Sequence, residues 1–153
     1  MGAPETRYPV KLDRRLESTL ESVDRAEEIV VGLAPELGLE EEAAYQLGYA
    51  VREAMVNAVV HGNRYSANRM VHLVVGGTES GVEVLIEDEG EGFDCAAMGD
   101  PLADENLLNQ SGRGITLIRA FVDEFFVERM APLGTRVILR KAIGRSSGPP
   151  GAP

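Results

Sequence analysis

Met70-Val-His-Leu-Val-Val75 and Val82-Glu-Val-Leu-Ile-Glu87 are two runs rich in β-branched residues, and Gly76-Gly-Thr-Glu-Ser-Gly81 joins them. Such a pair, linked through a glycine-rich turn, reads as a β-hairpin. Ahead of it the apolar period is helical. Leu16, Leu20, Val23, Ile29, Val30 and Leu33 suggest a helix from about Leu16 to Leu37, with a break or fresh start near Ser22–Glu28 and a stop at Gly38. A second helix is expected from Glu40 to His61, acid-rich at its start as the macrodipole favours and stopped by Gly62. Tyr8–Leu12 fits a short edge strand. Behind the hairpin, residues 93–111 have little periodicity and form a long loop, a length that in compact domains usually marks function or disorder. A third helix from about Gly114 to Val122 and two strands, Glu124–Arg129 and Thr135–Lys141, complete the series. The order β-α-α-β-β-loop-α-β-β predicts an α+β two-layer sandwich: one mostly antiparallel, mixed sheet with three helices on one face. Residues 1–7 read as a loose leader and 144–153 as a disordered Gly/Ser/Pro tail, leaving a single domain over 8–143.

Composition narrows the function. The 153 residues are 44% apolar and 26% charged, ordinary for one globular domain. Fifteen basic against twenty-five acidic residues give a net charge of -10, which argues against non-specific nucleic-acid binding. Trp is absent and there are only four Phe and four Tyr, so base-stacking platforms are poorly supplied. The single Cys95 excludes an intrachain disulfide and fits a reducing compartment. No run approaches the ~18 apolar residues of a membrane span, and Met1–Val10 is unlike a secretory signal. A cytoplasmic location is therefore expected, with no membrane or direct nucleic-acid partner.

Four groups could handle a nucleotide. Glu53, Asn57 and His61 stand at i, i+4 and i+8, one face of the second helix, among small and apolar neighbours. A carboxylate there can accept a proton from an attacking hydroxyl. An Asn carbonyl oxygen suits Mg2+, which shares its shell with waters and phosphate oxygens. His61 reads better as a structural hydrogen-bonding residue. Asp88 closes a strand, and Gly90 and Gly92 permit a tight turn with close ligand approach. Asp88 could accept a hydrogen bond from an exocyclic amine, which adenine carries where guanine has a carbonyl. Gly112, Arg113 and Gly114 open a helix whose unpaired N–H groups attract phosphate. Thr135, after Gly134, could support the purine pocket. Each segment alone also fits a solvated helix face, an acidic turn or a plain loop-to-helix junction. Their order, with a hairpin and a long loop between them, favours nucleotide chemistry, and neither a G-x-x-x-x-G-K-[ST] loop nor an H-R-D segment competes.

Glu53-Ala-Met-Val-Asn57-Ala-Val-Val-His61-Gly62 resembles the N box of the GHKL superfamily, whose members share the Bergerat ATP-binding fold. Asp88-Glu-Gly90-Glu-Gly92-Phe93 and Gly112-Arg113-Gly114 resemble its two glycine boxes. From about residue 8 to 141 the chain is most similar to the stand-alone anti-sigma factor serine/threonine kinases, with Phe93-Asp94 and Ser111–Arg119 fitting that branch. The resemblance implies Glu53 as general base and Asn57 as Mg2+ ligand. It implies Asp88 as the adenine-reading acid, Gly90 and Gly92 shaping its pocket, Gly112, Arg113 and Gly114 on the phosphates of ATP, and 93–111 as the ATP lid. Its implied partners are a sigma factor and a STAS-domain antagonist phosphorylated on Ser or Thr, with homodimers common. Arg25 could contact a partner, although an exposed helical arginine is the simpler reading. The acidic Asp100–Glu105 segment departs from what a lid over polyphosphate needs. A non-catalytic, ATP-dependent partner-switching module is the alternative.

Overall fold

The computed structural model describes residues 8–90 and 114–143. Strand β1 (Val10–Glu17) leads into helix α1 (Leu20–Leu33), and a 3-10 turn (Ala34–Leu37) leads on to helix α2 (Glu41–Val56). Strands β2 (Met70–Thr78) and β3 (Gly81–Glu87) form the expected hairpin. Helix α3 (Gly114–Phe121) and strands β4 (Glu124–Arg129) and β5 (Thr135–Ala142) follow. The five strands lie in the order β1-β2-β3-β5-β4, and every neighbouring pair is antiparallel, so the sheet is not mixed among the described residues. The α+β sandwich is as the sequence predicts.

Period two on the strands builds the core. Val71, Leu73 and Val75 of β2, Val82, Val84 and Ile86 of β3, and Val137 and Leu139 of β5 are all buried against the helices. Helix α2 supplies the central stripe over them, through Leu47, Ala50, Val51, Ala54 and Met55. On the far face, Arg140 joins Glu83 of β3 at 2.8 Å and Glu124 of β4 at 3.1 Å. Arg136 likewise joins Glu87 at 2.7 Å and Glu128 at 3.0 Å. One guanidinium bridges two strands because its planar fork offers donors in separate directions.

Three boundaries differ from the sequence reading. Leu16 belongs to β1, opposite Val71, rather than to the first helix. That helix starts only after Thr19, whose hydroxyl accepts from the Ser22 N–H at 3.2 Å and caps it. Leu16 and Leu20 are four apart, so a helical apolar period runs on across the end of the strand. The suspected break near Ser22 is absent, since Ser22 is buried inside a continuous α1. Finally, α2 does not run as an α-helix to His61: residues Asn57–Gly62 wind as a π-helical turn.

Candidate nucleotide site

The π-helical turn begins at Asn57. Such turns rotate less per residue and recur at functional positions. Glu53 and Asn57 stand one α-helical turn apart on one face, and His61 follows within the π-helical turn, half-buried. The Asn57 amide nitrogen donates to the Glu53 carbonyl oxygen at 3.0 Å. This bond fixes the amide plane. Asn57 is buried, and its Oδ1 accepts no hydrogen bond from any described residue. A buried acceptor left bare costs roughly 1–3 kcal/mol, so an oxygen held this way is fitted to a partner beyond the described residues. A hard divalent cation suits the atom, and Mg2+ characteristically takes only one or two protein ligands. The donor chemistry fits that ion: a hard amide oxygen, buried and held in a fixed plane, is the kind of ligand it takes. The Glu53 side chain, one turn earlier, is half-buried.

Asp88 follows β3 and is 7% exposed. Its Oδ1 accepts from the Gly90 N–H at 3.0 Å and the Thr135 N–H at 3.2 Å, while its own N–H donates to the Thr135 carbonyl at 3.0 Å. Desolvation pushes its pKa up to about 6 from the usual 3.8, and Glu89 adds to the rise. The two backbone hydrogen bonds and the nearby charge of Arg69 pull the other way. An acid so placed is strongly desolvated yet still has acceptor capacity for a donor in a ligand.

Two glycines missed as functional positions shape this seat. A Cβ on Gly62 would overlap the Asp88 carboxylate, and one on Gly90 would overlap the Gly62 carbonyl. Helical winding does stop at Gly62, as the sequence suggests, but Asn63 follows with right-handed and not left-handed geometry, and the missing side chain of Gly62 serves instead as a floor for Asp88. Gly134 has φ 110°, donates to the Gly90 carbonyl at 2.8 Å and leaves no room for a side chain beside the Asp88 carbonyl. We expect Gly62→Ala to cost about 1–3 kcal/mol by overpacking and to displace the carboxylate. Paired thermal melts and calorimetric titration with ADP would check it, with lowered stability and weakened binding together as the expected outcome.

Among the residues singled out from sequence, the fold thus brings Asp88, Gly90 and Thr135 into direct contact, with the end of the α2 segment through Gly62. Gly114 is the first residue of α3, which packs against α2. Gly92, Gly112, Arg113 and the lid over 93–111 lie outside the described residues, as do Cys95, the leader and the tail.

A buried acid at the end of a sheet strand, pressed on a helix that bears an acid–amide pair, marks an ATPase-type α+β domain. The chain belongs to the histidine kinase-like ATPase domain family, which residues 16–141 match. Relatives within it include the anti-sigma F factor of Geobacillus kaustophilus (strain HTA426), 36% identical over 98 residues, 63% of this chain and 67% of that protein. The anti-sigma F factor of Clostridium novyi (strain NT) is 31% identical over 96 residues, 61% of this chain and 67% of its own. That of Bacillus thuringiensis (strain Al Hakam) is 32% identical over 108 residues, 69% and 74% of the two chains. The resemblance to the GHKL superfamily and its anti-sigma branch is borne out. Among the described residues no helix is long and apolar enough to cross a membrane.

Proposed function

We propose that this protein is a Mg-ATP-dependent protein serine/threonine kinase that acts as an anti-sigma regulator, restraining a sigma factor and phosphorylating a STAS-domain antagonist. The observation that carries the reading is the bare, buried Asn57 Oδ1 one turn from Glu53. The family match supports ATP as the nucleotide, and the names of the relatives support a sigma factor as partner.

In this mechanism Asp88 accepts a hydrogen bond from the adenine amine and so orients the base. Glu53 takes the proton of the antagonist's hydroxyl as that oxygen bonds to the γ-phosphorus and the bond to the β,γ-bridging oxygen breaks, releasing ADP. Asn57 would hold Mg2+ through its Oδ1, and the ion would supply charge neutralisation on the transferring group. Gly112, Arg113 and Gly114 are assigned to the phosphates on the resemblance of their motif, with backbone N–H groups and a guanidinium as donors.

Incubation with γ-labelled ATP, Mg2+ and candidate STAS-domain proteins tests the proposal. Label is expected on a Ser or Thr of one such protein and to depend on the metal. Tight ATP binding with no transfer to any STAS-domain protein would instead favour the non-catalytic partner-switching module.

A further inference from the structure

Behind the Asp88 turn lies a polar hub built on Asn63, 1% exposed, and Ser18, 3% exposed. The Asn63 amide nitrogen donates to Ser18 Oγ at 2.9 Å and to the Met70 carbonyl at 3.1 Å. Its Oδ1 accepts from the Glu89 N–H at 2.8 Å. Ser18 Oγ in turn donates to the Arg69 carbonyl at 2.6 Å, and Glu89 Oε1 accepts from the Met70 N–H at 2.9 Å. One side chain thus ties together the end of the π-helical turn, the β1–α1 junction, the start of β2 and the turn after β3. Both amide hydrogens and the amide oxygen are used. A fully satisfied buried network of this kind fixes geometry, because each alternative arrangement leaves a desolvated group unpaired.

The placement of Glu89 gives the hub a role beyond packing. Asp88 is held on its own N–H by the Thr135 carbonyl. The next peptide N–H, that of Glu89, is held by Asn63. The carboxylate therefore sits between two backbone anchors, one on β5 and one on Asn63. Its tilt decides whether an acceptor faces the purine's 6-position, where adenine has an amine donor and guanine a carbonyl that a carboxylate repels.

We propose that Asn63 is a positioning residue of the nucleotide pocket, setting the preference for adenine over guanine by fixing the Asp88–Gly90 turn. This rests on the assignment of Asp88 as the base-reading acid. Ser18→Ala serves as the comparison, since it removes hub bonds yet leaves the Asn63–Glu89 bond in place. In Asn63→Ala, the ratio of ADP to GDP affinity from calorimetry is expected to fall about tenfold or more, the worth of a misplaced hydrogen bond to a charged group. Hydrogen exchange without ligand should quicken at the Gly90 and Thr135 amides, which bond Asp88 and not Asn63, while the Leu73 and Leu139 amides keep their protection. Ser18→Ala should lose stability and keep the ratio. If Asn63→Ala does not fold, Asn63→Ser, whose hydroxyl is too short to reach Glu89, is read the same way. An unchanged ratio in the Asn63 variant, or a ratio lost equally in Ser18→Ala, overturns the proposal. Should the unaltered protein itself show no preference for ADP, the assignment of Asp88 fails; unchanged exchange at Gly90 and Thr135 would then separately overturn the hold of Asn63 on the turn.

Discussion

Glu53→Gln is expected to bind Mg-ATP as the unaltered chain does and to transfer phosphate to its protein substrate about 10²–10⁴-fold more slowly, the usual worth of a general base. The separation of binding from transfer follows from how the pair is built. Asn57 is oriented by the backbone carbonyl of residue 53, not by its carboxylate, so exchanging the side chain leaves the free amide oxygen aimed as before. Glutamine also keeps the size of a half-buried side chain, which spares the packing of α2. Single-turnover transfer and nucleotide affinity, measured on the same preparation, check the result. Transfer at the normal rate would remove Glu53 from its assigned role and leave the nucleotide pocket standing.

The second large effect has two opposite parts. Asp88→Asn should weaken ADP binding by about 10–100-fold, through loss of a charge-assisted hydrogen bond to the base, and should at the same time stabilise the ligand-free protein at alkaline pH. The sign follows from the raised pKa. With a folded value of about 6 against 3.8 unfolded, the folded state holds the proton more tightly across that interval. The stabilisation this gives is complete below about pH 4 and is lost as pH rises through about 6. Above that, a desolvated carboxylate remains as a penalty of order 1–3 kcal/mol. Asparagine does not titrate, and its amide oxygen can still accept from Gly90 and Thr135. The stability difference between variant and parent should therefore grow in the variant's favour from pH 4 to pH 8, as read by urea unfolding at several pH values. A difference independent of pH would contradict the burial argument. The parent's affinity for ADP should also decline as pH falls through about 6, because protonation removes the charge that the proposed function assigns to the amine of the base.

Much of this was legible in the sequence because the signals are local. Period two in Met70–Val75 and Val82–Glu87 is a property of neighbouring residues, as is the one-turn spacing of Glu53 and Asn57. The misreadings come from contacts distant along the chain. Leu16 fits a helical period as well as a strand's, and only its pairing with Val71 decides between them. Gly62 has the position of a helix terminator, yet its lack of a side chain serves Asp88, twenty-six residues later in the sequence. Nothing in Asn57-Ala-Val-Val-His61 announces a π-helical turn, and Asn63 reaches partners 45 and 26 positions away.

The wide turn from Asn57 to Gly62 has a further consequence. Winding with a longer hydrogen-bond step, it stores more chain in a given axial rise than the helix before it. The same six residues wound as an ordinary α-helix would carry the terminal glycine further round the axis, and the acid resting on it would lose its support. The manner of winding, and not composition alone, is thus part of the recipe for the cavity.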